Sequence, residues 1–215
     1  MIIAAIISGV LGARSRTVLI AALAVCGLNA SPASAGPERL AHAPVFDITR
    51  PPIGWIEFCA RQPNECARGT MTPREVVLTQ NRWSDLAGVN KLVNETIEPL
   101  TDLEHWGIAE FWSYPDDGYG DCEDYVLMKR RMLMQMGWPR EALLITTVLD
   151  KNGEAHAVLT LTSDKGDYVL DNQNEHILLW WKTGYRFVKR QSRSDPNVWV
   201  SLGNTRPAIA TATSR

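Results

Sequence analysis

The chain has 215 residues, 45% of them hydrophobic, and a formal charge of −2 at pH 7. That length suits one domain with a substantial core and is too short for two comfortable ones. The near-neutral balance and the lack of a long basic run argue against nucleic acid as the main partner.

The first 35 residues read as a secretory signal peptide. Arg14 and Arg16 precede an apolar run at 17–28, and Ser31-Pro32-Ala33-Ser34-Ala35 ends it with small residues, so cleavage is expected after Ala35. The extra apolar stretch at 1–11 leaves open a start placed too early or an uncleaved anchor, although arginines inside a membrane span are costly. Lipid attachment at Cys26 is disfavoured by Val25, where a small residue is expected. Cleavage removes two arginines and no acid, taking the charge from −2 to −4. Residues 36–54 are rich in Pro, Gly and Ala and predict an extended or disordered lead-in, the domain proper is expected over 55–203, and the small, polar residues 204–215 predict a flexible tail.

Export makes the cysteine count informative. Cys59 and Cys66 form the natural disulfide in an oxidising compartment, which leaves Cys122 unpaired. A lone thiol in an exported chain is a liability unless it is used, and its alternative fate is that of a small buried apolar residue.

Thr72-Pro73-Arg74-Glu75 has the form of a capping box with proline at the first helical position, and a helical pattern through Val76, Val77, Leu86, Val89, Leu92, Val93 and Ile97 predicts a helix to Glu98, with an interruption near Gly88 and a stop at Pro99. Residues 100–121 predict a loop-rich connection whose Trp106, Phe111, Trp112, Tyr114 and Tyr119 either wall a groove or pack a core. Next comes Gly118-Tyr119-Gly120-Asp121-Cys122-Glu123-Asp124-Tyr125, a glycine-loosened turn feeding a helix that places one cysteine among carboxylates in its first turn. The unpaired N–H groups of a helix N-terminus favour thiolate and can hold an oxyanion. Tyr125, Met128, Met132 and Met136, widened by Val126 and Leu133, predict one buried stripe, and Gly137 ends the helix.

Strands are expected at 143–149, 155–162, 168–171, 185–189 and 198–202, with turns at 150–153 and 163–167. Helices first and an antiparallel meander afterwards predict an α+β fold with the cysteine helix packed on the sheet.

A catalytic cysteine needs a base, and the base needs an acceptor to orient it. Of the four histidines, His42 and His105 lie in segments expected at the surface, whereas His156 sits in the strand Ala155-His156-Ala157-Val158-Leu159. Asp171 ends the next strand, where a carboxylate is expensive unless it accepts hydrogen bonds that an imidazole N–H could supply.

The order and residue types resemble the papain-like transglutaminase fold. Gly120-Asp121-Cys122-Glu123-Asp124-Tyr125, His156-Ala157-Val158-Leu159 and Leu170-Asp171-Asn172 together are similar to the bacterial transglutaminase-like cysteine proteinases, as are Val89-Asn90 with Asn94, Trp112 and Pro115 before the glycines, and the spaced pair Cys59 and Cys66, over residues 55–200. The resemblance implies a Cys122-His156-Asp171 triad in a periplasmic protease of the type that clips large surface adhesins and so releases biofilm cells, with small residues such as Ala-Ala at the cut. It implies calcium beside the cysteine, held by Asp121 and Glu123 with Asp124 as a further candidate, and an inner-membrane receptor responsive to cyclic-di-GMP that sequesters the protease. Hard carboxylate oxygens suit calcium, and without a cation their repulsion would raise the thiol pKa; plain helix capping is the alternative use of the same acids. The backbone N–H of Cys122 is one expected oxyanion donor, with Asn94 or a tryptophan N–H as candidates for the second. Transamidation or deamidation by the same triad, a silent calcium-dependent peptide-binding module and an anchored envelope protein remain the competing readings.

Overall fold

A computed structural model describes residues 41–68, 72–73 and 75–203; the leader assigned to 1–35 and the tail at 204–215 lie outside the described residues. The chain enters through β1 (Ile48–Thr49), α1 (Ile53–Arg61) and a short 3-10 turn, Pro63–Cys66, and then forms α2 (Gln80–Thr96), β2 (Glu98–Pro99), α3 (Asp102–Trp106), β3 (Tyr119–Gly120) and α4 (Cys122–Gln135). The remaining strands are β4 (Leu143–Leu149), β5 (Ala155–Ser163), β6 (Gly166–Leu170), β7 (Leu178–Leu179), β8 (Arg186–Gln191) and β9 (Trp199–Ser201). Mixed helix and antiparallel sheet is the α+β class expected. Among the described residues no helix is long and apolar enough to cross a membrane.

The sheet order is β1-β9-β8-β4-β5-β6-β7, so the simple meander expected from sequence is corrected: after β7 the chain returns to the other side of β4, where β8 pairs antiparallel to it. β4 and β5 become central, which explains why Leu143-Leu144-Ile145 and Val158-Leu159 read as continuous apolar runs: both faces are covered. On one face Ile145, Ala157, Leu159, Leu161 and Leu170 pack with Leu86, Val89 and Val93 of α2 and Tyr125, Val126, Leu127 and Leu133 of α4. On the other, Val148, Val158, Val169, Phe187 and Leu202 form a smaller cluster with Ala43.

Three local expectations change. The helix does not start at Thr72. Val76 bridges to Ser163, Leu78 N–H donates to Asp164 Oδ1 at 2.8 Å, and Thr79 is the N-cap, its hydroxyl accepting from Arg82 N–H at 3.3 Å. β-branched Val76 and alternating Leu78 prefer an extended pairing with the sheet edge, and from there α2 runs unbroken through Gly88. In α4 the methionine stripe is not the buried one: Met128 and Met132 are half-buried and Met136 exposed, whereas Lys129 and Arg130 are buried together with Tyr125, Val126, Leu127 and Leu133. A central helix is covered nearly all round, so its long cations are enclosed too; Arg130 Nε donates to the Leu143 carbonyl at 3.1 Å.

Of the segment expected as a lead-in, residues 41–54 join the fold. β1 pairs with β9, and Asp167, fully buried at the start of β6, accepts from Ala43 N–H at 3.0 Å, Arg190 Nη1 at 2.6 Å and His42 Nδ1 at 2.9 Å. His42 is therefore tied to the sheet rather than loose at the surface, though its side chain stays partly exposed. Cys59 and Cys66 form the expected disulfide and Cys122 is free.

Removing a buried carboxylate leaves Arg190 buried without its partner, so Asp167→Ala is expected to cost about 3–5 kcal/mol. Urea unfolding measures it, and a loss no larger than that of a surface substitution would show that the strap at 41–43 and the sheet are not coupled through Asp167.

Candidate active site

The parallel pair β2–β3 sets the geometry of the site. Leu100 N–H donates to the Gly120 carbonyl at 3.0 Å, which brings the first turn of α3 alongside the entrance to α4. α3 is nucleated by a capping box: Thr101 accepts from Glu104 N–H, and Glu104 reaches back to Thr101. Its first residue, Asp102, is 3% exposed and receives Phe111 N–H on Oδ2. Asp124 Oδ1 receives Ser113 N–H at 2.7 Å. Gly120 is required here, because a Cβ on it would lie 2.8 Å from the Asp124 carboxylate.

The carboxylate oxygens of Asp102, Asp121 and Asp124 lie within 4.8 Å of one another, and Asp121, Cys122 and Glu123 form a second such group. Of the three acids expected as metal ligands, Asp121 and Asp124 thus converge with Asp102, while Glu123 turns toward Asp121 and the thiol. Asp102 was missed from sequence because it lies some 20 residues upstream of the motif, in a stretch that reads as a loop-rich connection.

Burial and mutual repulsion drive Asp121, Glu123 and Asp124 toward protonation. Burial first, and then Asp121, push Glu123 up to about 9. Burial, with Asp121 and Asp102 adding to it against the Ser113 N–H, pushes Asp124 up to about 8. Burial also raises Asp121. Among the described residues, Asp121 Oδ1 and Asp124 Oδ2 are buried with no hydrogen-bond partner. Ionised carboxylate oxygens are acceptors only, so what fits beside them is a proton or a hard cation.

Cys122 is the first residue of α4, and its Sγ lies 3.1 Å from Glu123 Oε2. Burial and then the Glu123 and Asp121 carboxylates hold the thiol well above its usual pKa; the helix N-terminus, expected to favour thiolate, is outweighed here.

His156 lies in β5 opposite Val148 of β4 and is 4% exposed. Side chains alternate along a strand, so His156 shares the face of Val158 and Asp171 that of Val169, and those two valines belong to one cluster. His156 Nε2 meets Asp171 Oδ1 at 2.9 Å. Asp171 Oδ1 also accepts Gln173 N–H at 3.0 Å, and Oδ2 accepts Tyr185 OH at 2.6 Å. Burial alone would raise the Asp171 carboxyl; the bonds from His156, Tyr185 and Gln173 outweigh it and hold the pKa below the usual value. Lys129 faces this pair electrostatically from α4. Fully buried, with Nζ lacking a hydrogen-bond partner among the described residues, it is pushed down to about 7 by burial, against the pull of Asp171.

Cys122, Glu123, Asp121, His156, Ala157, Thr147, Glu110 and Trp112 line one cleft of about 240 Å³. Two candidates for the second oxyanion donor are engaged elsewhere: Asn94 Nδ2 donates to the Asp171 carbonyl at 2.8 Å, and Trp112 Nε1 to Glu110 Oε1 at 2.7 Å. Of the expected aromatic wall only Trp112 lines the cleft; Tyr114 packs edge-on against Phe58, while Trp106 and Tyr119 are exposed. His105 pairs with Asp117 at 2.8 Å away from the cleft, and His176 is exposed.

Known proteins can be set beside this geometry. Residues 45–207 match the model of one family, described as bacterial transglutaminase-like cysteine proteinase. Comparison with curated protein sequences finds no match. Among solved structures, Legionella pneumophila LapG is similar at 26% identity and a TM-score of 0.47 over 55% of this chain and 66% of that one. LapG from the same organism in calcium-bound form is similar at 24% identity and a TM-score of 0.49 over 60% of this chain and 75% of that one. The chain thus spans just under two thirds of the first of these.

Carboxyls whose folded pKa is raised stabilise the fold fully below their unfolded values and lose that contribution as pH climbs through the folded ones. For Glu123 and Asp124 the window runs from about pH 4, the ordinary carboxyl range, up to about 9 and about 8. Without metal, the thermal midpoint is therefore expected to fall as pH rises from 5 to 9, and Asp124→Asn should flatten that fall. A midpoint independent of pH over this range would contradict the crowding.

Proposed function

Because the chain belongs to the bacterial transglutaminase-like cysteine proteinases, we propose that it is an exported cysteine endopeptidase in which Cys122 is the nucleophile, His156 the base and Asp171 the group that orients the base. The supporting observation is the 2.9 Å contact between His156 and Asp171 at the edge of a cleft that also holds a free cysteine at a helix N-terminus.

Asp171 occupies Nε2, so Nδ1, which meets only the long 3.4 Å contact from Gln173 Nε2, is the ring nitrogen to take the thiol proton. Sγ turns from Glu123 to Nδ1, gives up its proton and attacks the peptide carbonyl carbon. The carbon–sulfur bond forms as the carbonyl becomes an oxyanion, which faces the Cys122 N–H at the first turn of α4, where a helix has no internal acceptor for that donor. The imidazolium then gives its proton to the amine as the carbon–nitrogen bond breaks. In the second half His156 takes a proton from water, hydroxide displaces sulfur from the thioester, and the proton returns to sulfur.

The crowded acids fit a calcium ion. Asp102, Asp121 and Asp124 would hold it through oxygen alone, with backbone carbonyls and water completing the six to eight ligands calcium takes, and its positive charge would offset the repulsion that opposes the thiolate. The reading extends to the periplasm as compartment, a surface adhesin or other envelope protein as substrate, and an inner-membrane receptor that sequesters the protease.

Wild type with calcium is expected to cut candidate surface proteins, while Cys122→Ala and chelated wild type leave them intact; equal cutting by wild type and Cys122→Ala would overturn the assignment. Calcium binding near pH 7 should release a proton, because Asp124 holds one in the metal-free state. Calorimetry in buffers of differing ionisation enthalpy reads that release, and a binding heat independent of buffer would count against these ligands.

A further inference from the structure

The loop that follows β6 carries the acceptor for His156 yet has little structure of its own. Over residues 171–177 it forms no strand, and its internal bonds are two local turns, Gln173 N–H to Asp171 Oδ1 at 3.0 Å and His176 N–H to Asn174 Oδ1 at 3.0 Å. It is gripped from outside by α2. Asn90 and Asn94 are four residues apart and so stack on one helix face. Asn90 Nδ2 donates to the Glu175 carbonyl at 3.1 Å and Asn94 Nδ2 to the carbonyl of Asp171 itself at 2.8 Å, one amide at each end of the loop.

These amides are a poor choice for cohesion alone. Asn90 is 1% exposed among buried Leu86, Val89 and Val93, and the Oδ1 atoms of both asparagines are buried without a partner among the described residues. Apolar residues would avoid that loss of solvation. What apolar residues could not do is hold a carbonyl in place. The Asp171 carboxylate is two torsions from the backbone that Asn94 fixes, and the ring it orients must present Nδ1 to the thiol.

We propose that Asn90 and Asn94 are positioning residues for the base, fixing the Asp171 backbone so that its carboxylate stays on Nε2. This rests on the reading of Cys122, His156 and Asp171 as the catalytic set. A displaced loop would also move Gln173, whose Nε2 lies 3.4 Å from His156 Nδ1.

The test measures turnover of an internally quenched Ala-Ala peptide in calcium for Asn90→Ala, Asn94→Ala, Asp171→Ala and the double variant Asn94→Ala/Asp171→Ala, together with the downfield proton resonance of the His156 Nε2–H and the thermal midpoint. A misaligned base costs about 10- to 100-fold in kcat, so Asn94→Ala is expected to fall by that factor with KM little changed and to broaden or lose the resonance. In the Asp171→Ala background the same substitution should cost nothing further, which a merely structural role would not predict. Wild-type kcat with an intact resonance in Asn94→Ala, or an equal loss with and without Asp171, would overturn the proposal. Should Asn94→Ala fail to fold, Asn94→Ser carries the test: reduced kcat in a folded protein supports the proposal and wild-type kcat overturns it. Failure of the catalytic reading shows separately, as wild-type turnover by Cys122→Ala and Asp171→Ala.

Discussion

Carboxyl groups crowded around a half-buried thiol govern this molecule. Two carboxylates about 4 Å apart repel by about 4 kcal/mol at an effective dielectric of 20, whereas a helix N-terminus typically favours an anion by about 0.3–1 kcal/mol. Burial comes first and the Glu123 and Asp121 carboxyls add to it, so the helix N-terminus is outweighed and the thiol pKa is raised. The feature that first suggests a nucleophile, a cysteine at a helix start, is thereby switched off by its own neighbours. Charge compensation by protons or by a hard cation decides the state of the site. Acidity and reactivity are one electrostatic problem here, and the orphaned oxygens of Asp121 and Asp124 are its structural trace.

The other half of the site obeys the opposite rule. Asp171 is as deeply buried as the crowded acids, but three donors converge on its two oxygens, and its charge is retained. Satisfied hydrogen bonds rather than exposure separate the two behaviours. Strand pairing supplies the rigidity: β5 and β6 are in register from Leu159 opposite Leu170 to Ser163 opposite Gly166, so the pair His156 and Asp171 sits just past a run of fixed ladder bonds. Asp167 at the far end of β6 is held in a similar manner by Arg190, His42 and the Ala43 N–H, which ties the start of the described chain to the same strand.

Much of this was legible in the residues alone, because it depends on local chemistry. Apolar runs bounded by turn residues located β4 and β5, a helix starting at the cysteine followed from the glycines before it and the apolar pattern after it, and the cysteine count, read with export as an expectation, anticipated the Cys59–Cys66 bond. The start of α2 was misplaced because Thr72-Pro73 offers a good local cap while Val76 and Leu78 gain more by pairing with the sheet, a partner almost ninety residues away.

What the sequence determined by itself, then, was which groups are candidates for the chemistry, and that Cys122 starts a helix while His156 sits in a strand, since spacing within a helix turn or a strand is a local property. Only the tertiary structure decided which groups meet. It added Asp102 to the acids through the parallel pairing of β2 and β3, turned Glu123 toward the thiol, spent Asn94 on a loop carbonyl and Trp112 on Glu110, and enclosed Lys129 behind Asp171. The β2–β3 pairing, the Asn94 bond to the Asp171 carbonyl and the approach of Lys129 to Asp171 result from chain segments closing on one another across tens of residues, and burial and charge, which set the pKa shifts in the site, exist only once that closure has occurred.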